Sequence, residues 1–107
     1  MRRAARTDTN HTATVAAFRK LGCSVLSLAS LGRGVPDLLV SLGGITWLVE
    51  VKMPKGKETA DQIAFISGWK GCRALVRDLD GAITTVRLMT EQSRACKSAL
   101  DDSKISE

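Results

Sequence analysis

The chain has 107 residues, 44% hydrophobic and 25% charged, with a formal net charge of +5; this is ordinary for one soluble globular domain and suits a polyanionic partner. Two Trp, two Phe and no Tyr argue against a base-stacking platform for single strands. No apolar run is long enough to span a bilayer and Arg2-Arg3 precedes no hydrophobic segment, so neither membrane nor leader is expected, while Cys23, Cys72 and Cys96, odd in number and far apart, read as reduced thiols in a cytoplasm rather than a disulfide framework or zinc site.

In chain order, residues 1–8 read as a basic, flexible arm, and a first helix is expected over Thr9–Leu21. Thr7, Asp8 or Thr9 can cap it and Gly22 can stop it; His11, Thr14, Val15 and Phe18 share its inward stripe. Cys23–Leu28 reads as a strand and Leu31–Val35 as a loop. Two strands flank Gly43-Gly44, a hairpin signal, because a type I′ turn needs positive φ at both central residues. Met53–Lys57 is a basic loop. A second helix starts at Thr59, with Gln62, Phe65, Ile66 and Trp69 as its stripe, followed by a strand over Cys72–Val76. Asp80–Met89 is predicted as a short helix capped by Asp78, although the alternation in Ile83–Leu88 also permits a strand. Thr90–Leu100 is predicted as a peripheral helix before a disordered tail. The expected architecture is α/β, in the order α-β-β-β-α-β, a mixed sheet flanked by helices; residues 9–89 carry the domain and 90–107 the peripheral helix and tail.

The informative feature is a pair of acids in apolar strands. Counting outward from Gly43-Gly44 pairs Leu42 with Ile45, Ser41 with Thr46 and Val40 with Trp47, and finally sets Asp37 opposite Glu50. Directly opposed residues have Cβ atoms only about 4.5–5.5 Å apart, so two carboxylates are forced together. Lys52 falls on their face, while Leu38, Val40, Leu42, Ile45, Trp47, Val49 and Val51 form a wholly apolar opposite face. Burying like charges costs several kcal/mol unless something offsets it, and a hard divalent cation, Mg²⁺ or Mn²⁺, acting on a phosphate is the leading candidate. Lys52 can then position the attacking water or neutralise developing charge.

At these residues the chain resembles the PD-(D/E)XK nucleases, and within them the VRR-NUC branch of small, often phage-encoded domains. The resemblance rests on Arg33-Gly34-Val35-Pro36-Asp37-Leu38-Leu39-Val40, on Leu48-Val49-Glu50-Val51-Lys52, and on Gln62 downstream; it spans roughly Thr7 to Val86 by matching elements. It implies a restriction-endonuclease-like core, with the cation held by Asp37, Glu50 and the backbone carbonyl of Val51. It implies that Lys52 and Gln62 serve catalysis, and that a homodimer cuts branched or junction DNA in the cytoplasm of a bacterial or phage-infected cell. Family members often carry Glu or Gln on the first helix, where this chain has Asn10 and His11. His11, on the inward stripe, can ligate the metal, hold a metal-bound water, or orient phosphate. Arg33, Lys55, Lys57 and Asn10 are the expected DNA contacts.

Each residue also has a plainer reading. Asp37 can cap the turn after Pro36, Glu50 and Lys52 can be a solvated strand face, and His11 a polar helix-start residue. Thr59-Ala60-Asp61-Gln62 spells a capping box, with Gln62 reaching back to the Thr59 amide; that role and the catalytic one are compatible. Trp47 and Trp69 read as core or dimer-interface residues. The expected function is a Mg²⁺- or Mn²⁺-dependent endodeoxyribonuclease; the alternatives are a non-catalytic DNA-binding module on the same fold and a small protein-interaction domain.

Overall fold

The computed structural model describes residues 2–106, with side-chain surroundings for residues 10–101. Helix α1 spans Arg2–Lys20, strand β1 Ser24–Ser27, a 3-10 turn Ala29–Leu31, β2 Leu38–Leu42, β3 Ile45–Val51, α2 Ala60–Ser67, β4 Arg73–Val76 and α3 Leu79–Ser106. The strands form one mixed sheet in the order β1-β2-β3-β4. The β1–β2 and β2–β3 pairs are antiparallel, and β4 runs parallel to β3 after the crossover through α2. The α/β class, the mixed sheet flanked by helices and the element order through β4 are those expected.

The hairpin forms as its glycines require. Gly43 and Gly44 have φ of 62° and 83°, the left-handed region that only glycine enters freely. The register runs from Leu42–Ile45 through Val40–Trp47 to Leu38–Val49, without a bulge. Period-2 alternation then sorts the faces. Leu38, Val40, Val49 and Val51 form a core with Phe18 of α1, Val76 of β4, and Ala82 and Met89 of α3. Both long helices therefore cover one face, each large buried side chain contributing about 1.5–3 kcal/mol. The other face carries Leu48, Glu50, Arg73 and Leu75 in register across β3 and β4.

Two helices differ from expectation. The segment Asp80–Met89 is neither a separate short helix nor a strand, and Thr90–Leu100 is not a peripheral helix of its own: α3 is continuous. Asp78 does cap it, its Oδ1 accepting from the Gly81 amide at 2.9 Å. Ala82, Thr85, Met89 and Ser93 are buried along one stripe, and this helical spacing overrides the weak helix propensity of Ile83, Thr84, Thr85 and Val86. Ser93 Oγ donates to the Gly43 carbonyl at 2.6 Å, and Trp47 Nε1 donates to Gln92 Oε1 at 2.8 Å; those two bonds tie α3 to the hairpin, and Arg94–Asp101 beyond them are exposed. At the other end α1 begins at Arg2, because nothing between Arg2 and Gly22 breaks a helix. The side chains of the expected arm, residues 1–8, lie outside the described residues.

Candidate active site

The site assembles where β2 begins and β3 ends. One step beyond the Leu38–Val49 pair, Asp37 leaves the ladder. Its carbonyl accepts from the Leu28 amide at 2.6 Å, and its carboxylate Oδ2 accepts from the Val51 amide at 2.9 Å. A side chain thus takes a backbone donor of the neighbouring strand and holds Asp37 beside Glu50. The Glu50 side chain is only 2% exposed. Burial, then the charge and hydrogen bond of Asp37, push its carboxyl up to about 8, against which the charges of Lys52 and Arg73 pull only partly. Burial and the neighbouring carboxylate thus favour the protonated form of Glu50.

Helix α2 supplies the third group. Thr59 caps it, with the Gln62 amide donating to Thr59 Oγ1 at 3.2 Å and Gln62 Oε1 accepting from the Thr59 amide at 2.8 Å. That box commits Oε1, so Nε2 is the end left to donate, and it does so to Glu50 Oε2 at 3.1 Å. Capping and site contact are one arrangement. The loop before β2 fixes where α2 starts: Gly34 has φ of 81°, and a Cβ there would collide with the Asp61 carbonyl. Only glycine lets the Gly34-Val35-Pro36 loop pass α2 and deliver Asp37 beside Glu50.

Lys52 follows directly. Its amide donates to the Val76 carbonyl at 3.0 Å, and its carbonyl accepts from Asn10 Nδ2 at 2.9 Å. Asn10, expected as a DNA contact, thus ties α1 to the end of β3. His11 is on the inward side of α1 as expected, half-buried, with Nε2 buried and without a hydrogen-bond partner. Among the described residues no three His, Cys, Asp or Glu side chains gather around a common point, so His11 does not complete a ligand cluster with the acids. Arg33, Lys55 and Lys57 are exposed, and none forms an ion pair among the described residues. Arg33 is held at φ of 56° between Gly32 and Gly34.

Sequence reasoning missed two arginines. Arg73 lies across from Leu48 on the Glu50 face, is paired with Glu58, and acts on Glu50 by charge. The signal was available: a lone Arg in an apolar strand is the same anomaly as the acids. Arg77 Nη1 donates to the carbonyls of Met53, Pro54 and Gly56 at 2.9, 3.3 and 2.5 Å, bracing the loop that carries Lys55. Nothing local in the sequence announces that contact. Phe65 and Ile66 turn inward with Gln62, whereas Trp69 is 43% exposed and stacks on Phe65.

The donor set suits Mg²⁺ or Mn²⁺. Two carboxylates on neighbouring strands are hard oxygen donors, and a divalent charge would offset the repulsion that Lys52 and Arg73 leave uncompensated. No protein family, curated protein or solved structure compared with the chain matches it. Among the described residues no helix is long and apolar enough to cross a membrane.

Proposed function

We propose that the chain is a Mg²⁺- or Mn²⁺-dependent endodeoxyribonuclease with a PD-(D/E)XK core of the VRR-NUC kind. The observation that carries this is the Asp37–Glu50 pair, with Glu50 buried and Asp37 half-buried, held by the Val51 amide and by Gln62, with Lys52 next along the chain. A fold does not keep two acids in contact at a strand end, one of them 2% exposed, for stability; the arrangement is destabilising until a cation enters.

In this reading Asp37, Glu50 and the Val51 carbonyl hold the ion. A bound cation supplies Lewis acidity and a water of lowered pKa. The Val51 amide fixes Asp37, and Gln62 fixes Glu50, so both carboxylates are oriented before substrate arrives. Lys52, its backbone anchored to Val76 and Asn10, keeps an ammonium beside the pair, where it steadies the attacking water and the charge growing on the phosphate. Arg33, Lys55 and Lys57 contact flanking phosphates. A homodimer acting on branched DNA follows from the resemblance, since symmetric cuts need two sites. The three free cysteines are consistent with a reducing bacterial or phage-infected cytoplasm.

A second reading, a non-catalytic DNA-binding module, is favoured by one observation: among the described residues His11 joins no ligand cluster. The two separate in a cleavage assay on labelled junction, flap and duplex DNAs, with and without Mn²⁺, beside Glu50→Gln. The nuclease cuts only with the metal and only in the wild type. Binding without cutting under every condition refutes it, and equal cutting of all substrates removes branch preference alone.

A further inference from the structure

Beside the acid pair, on the α1 side of Lys52, the chain forms a second, open-sided feature. Asn10, Val51, Lys52, Met53 and Gly56 line a cavity of about 230 Å³. That is below the roughly 300–1,000 Å³ of sites for drug-sized ligands, so it takes one ring-sized group. Its walls are mixed in a particular way. Val51 and the Met53 thioether, 51% exposed, are apolar and polarizable, and sulfur packs well against aromatic rings. Asn10 spends its Nδ2 on the Lys52 carbonyl and so retains Oδ1 as an acceptor. Among the described residues no acidic side chain lines the cavity, and Lys52 brings its charge to both the cavity and Glu50.

The loop forming one wall is braced. Arg77 holds the carbonyls of Met53, Pro54 and Gly56, and the Gly56 amide donates to Met53 at 2.9 Å. Exposed Lys55 and Lys57 sit on or just past that loop, which suits phosphates on either side of an inserted group. Across Asn10 a neighbouring cavity of about 240 Å³ includes Asp78, whose charge disfavours a polyanion, so the insertion belongs on the Lys52 side.

We infer that this cavity is a subsite for a single unpaired nucleobase of the strand being cut, adjacent to the phosphate at Asp37 and Glu50. The inference rests on the nuclease reading and specifies its substrate: DNA with an unpaired nucleotide next to the scissile bond. A paired base reaches the cavity only by leaving its stack, at a cost that an unpaired one largely escapes.

The test uses the full chain in buffer free of divalent cations and two duplexes, identical except that one carries a single bulged 2-aminopurine. The bulged duplex is expected to bind roughly tenfold tighter, the scale of one base packed in a pocket, with a change in 2-aminopurine emission on binding. Gly56→Leu should fill the cavity, since a Cβ there stands 3.7 Å from Lys52 Cδ as well as 3.3 Å from the Met53 carbonyl oxygen, and Asn10→Ala should remove the acceptor together with the tie to the Lys52 carbonyl. Both should bring the bulge-to-duplex affinity ratio close to one, with circular dichroism checking their folds. Equal wild-type binding of the two duplexes with unchanged emission overturns the subsite, as does a full preference kept by both variants. Absence of any DNA binding, both in this buffer and with Ca²⁺ added, is a different result and refutes the nuclease reading itself.

Discussion

Glu50→Gln gives the sharpest test of the site's electrostatics, and the outcome can be worked out from burial. The Glu50 carboxyl moves from an ordinary 4.5 to about 8 in the folded chain. A folded-state value above the unfolded one means that the folded chain binds this proton more tightly. The stability contributed by the protonated group is therefore full below pH about 4.5, falls as pH rises through the window, and levels off above about 8. Integrating between those two values gives a loss of about 3 kcal/mol at pH 7 but only about 1 kcal/mol at pH 5. Gln keeps the size and the neutral state and does not titrate. Without divalent cations, Glu50→Gln should unfold close to wild type at pH 5 and roughly 10 °C or more above it at pH 8, since 1 kcal/mol moves the midpoint of so small a domain by about 4–8 °C. Thermal unfolding followed by circular dichroism from pH 5 to 8 measures this. Parallel pH curves for the two proteins would refute the reasoning.

Three further outcomes follow. Gly34→Ala should destabilise the fold by several kcal/mol, because the added methyl meets the Asp61 carbonyl at a positive φ; denaturant titration checks it, and a change under about 1 kcal/mol would mean that α2 does not sit as described. Gln62→Glu keeps the capping acceptor but replaces the donor facing Glu50 with an acid, so it should lower stability at pH 8 by about 1–3 kcal/mol and regain much of that when Mn²⁺ is added; a variant as stable as wild type without metal would contradict the contact. Met89→Ala, emptying a fully buried site, should cost about 2–5 kcal/mol in urea melts, whereas a peripheral α3 would leave the midpoint nearly unchanged.

The site was more legible in the sequence than the helices around it. Counting outward from Gly43-Gly44 gives the β2–β3 register as far as Leu38–Val49, and beyond the ladder the Val51 amide holds Asp37 beside Glu50. Thr59 and Gln62 announced a capping box, and the structure adds that the box aims the remaining amide donor at Glu50. The long α3 was hidden because Ile83 to Val86 alternate like a strand, and only burial of Ala82, Thr85, Met89 and Ser93 against the sheet decides for a helix. Asn10 and Arg77 act on backbone carbonyls far away in sequence, at Lys52 and at Met53–Gly56. Such contacts follow from the packing of α1 and β4 and leave no local pattern to read.

The central claim is that Asp37 and Glu50 together form a divalent-cation site. Calorimetric titration of the metal-free chain with Mn²⁺ at pH 8, wild type beside Asp37→Asn, tests it most directly. Saturable binding in the wild type that Asp37→Asn abolishes, with the variant still folded, is the predicted result. Equal heats from the two proteins, or no binding to the wild type, would contradict it.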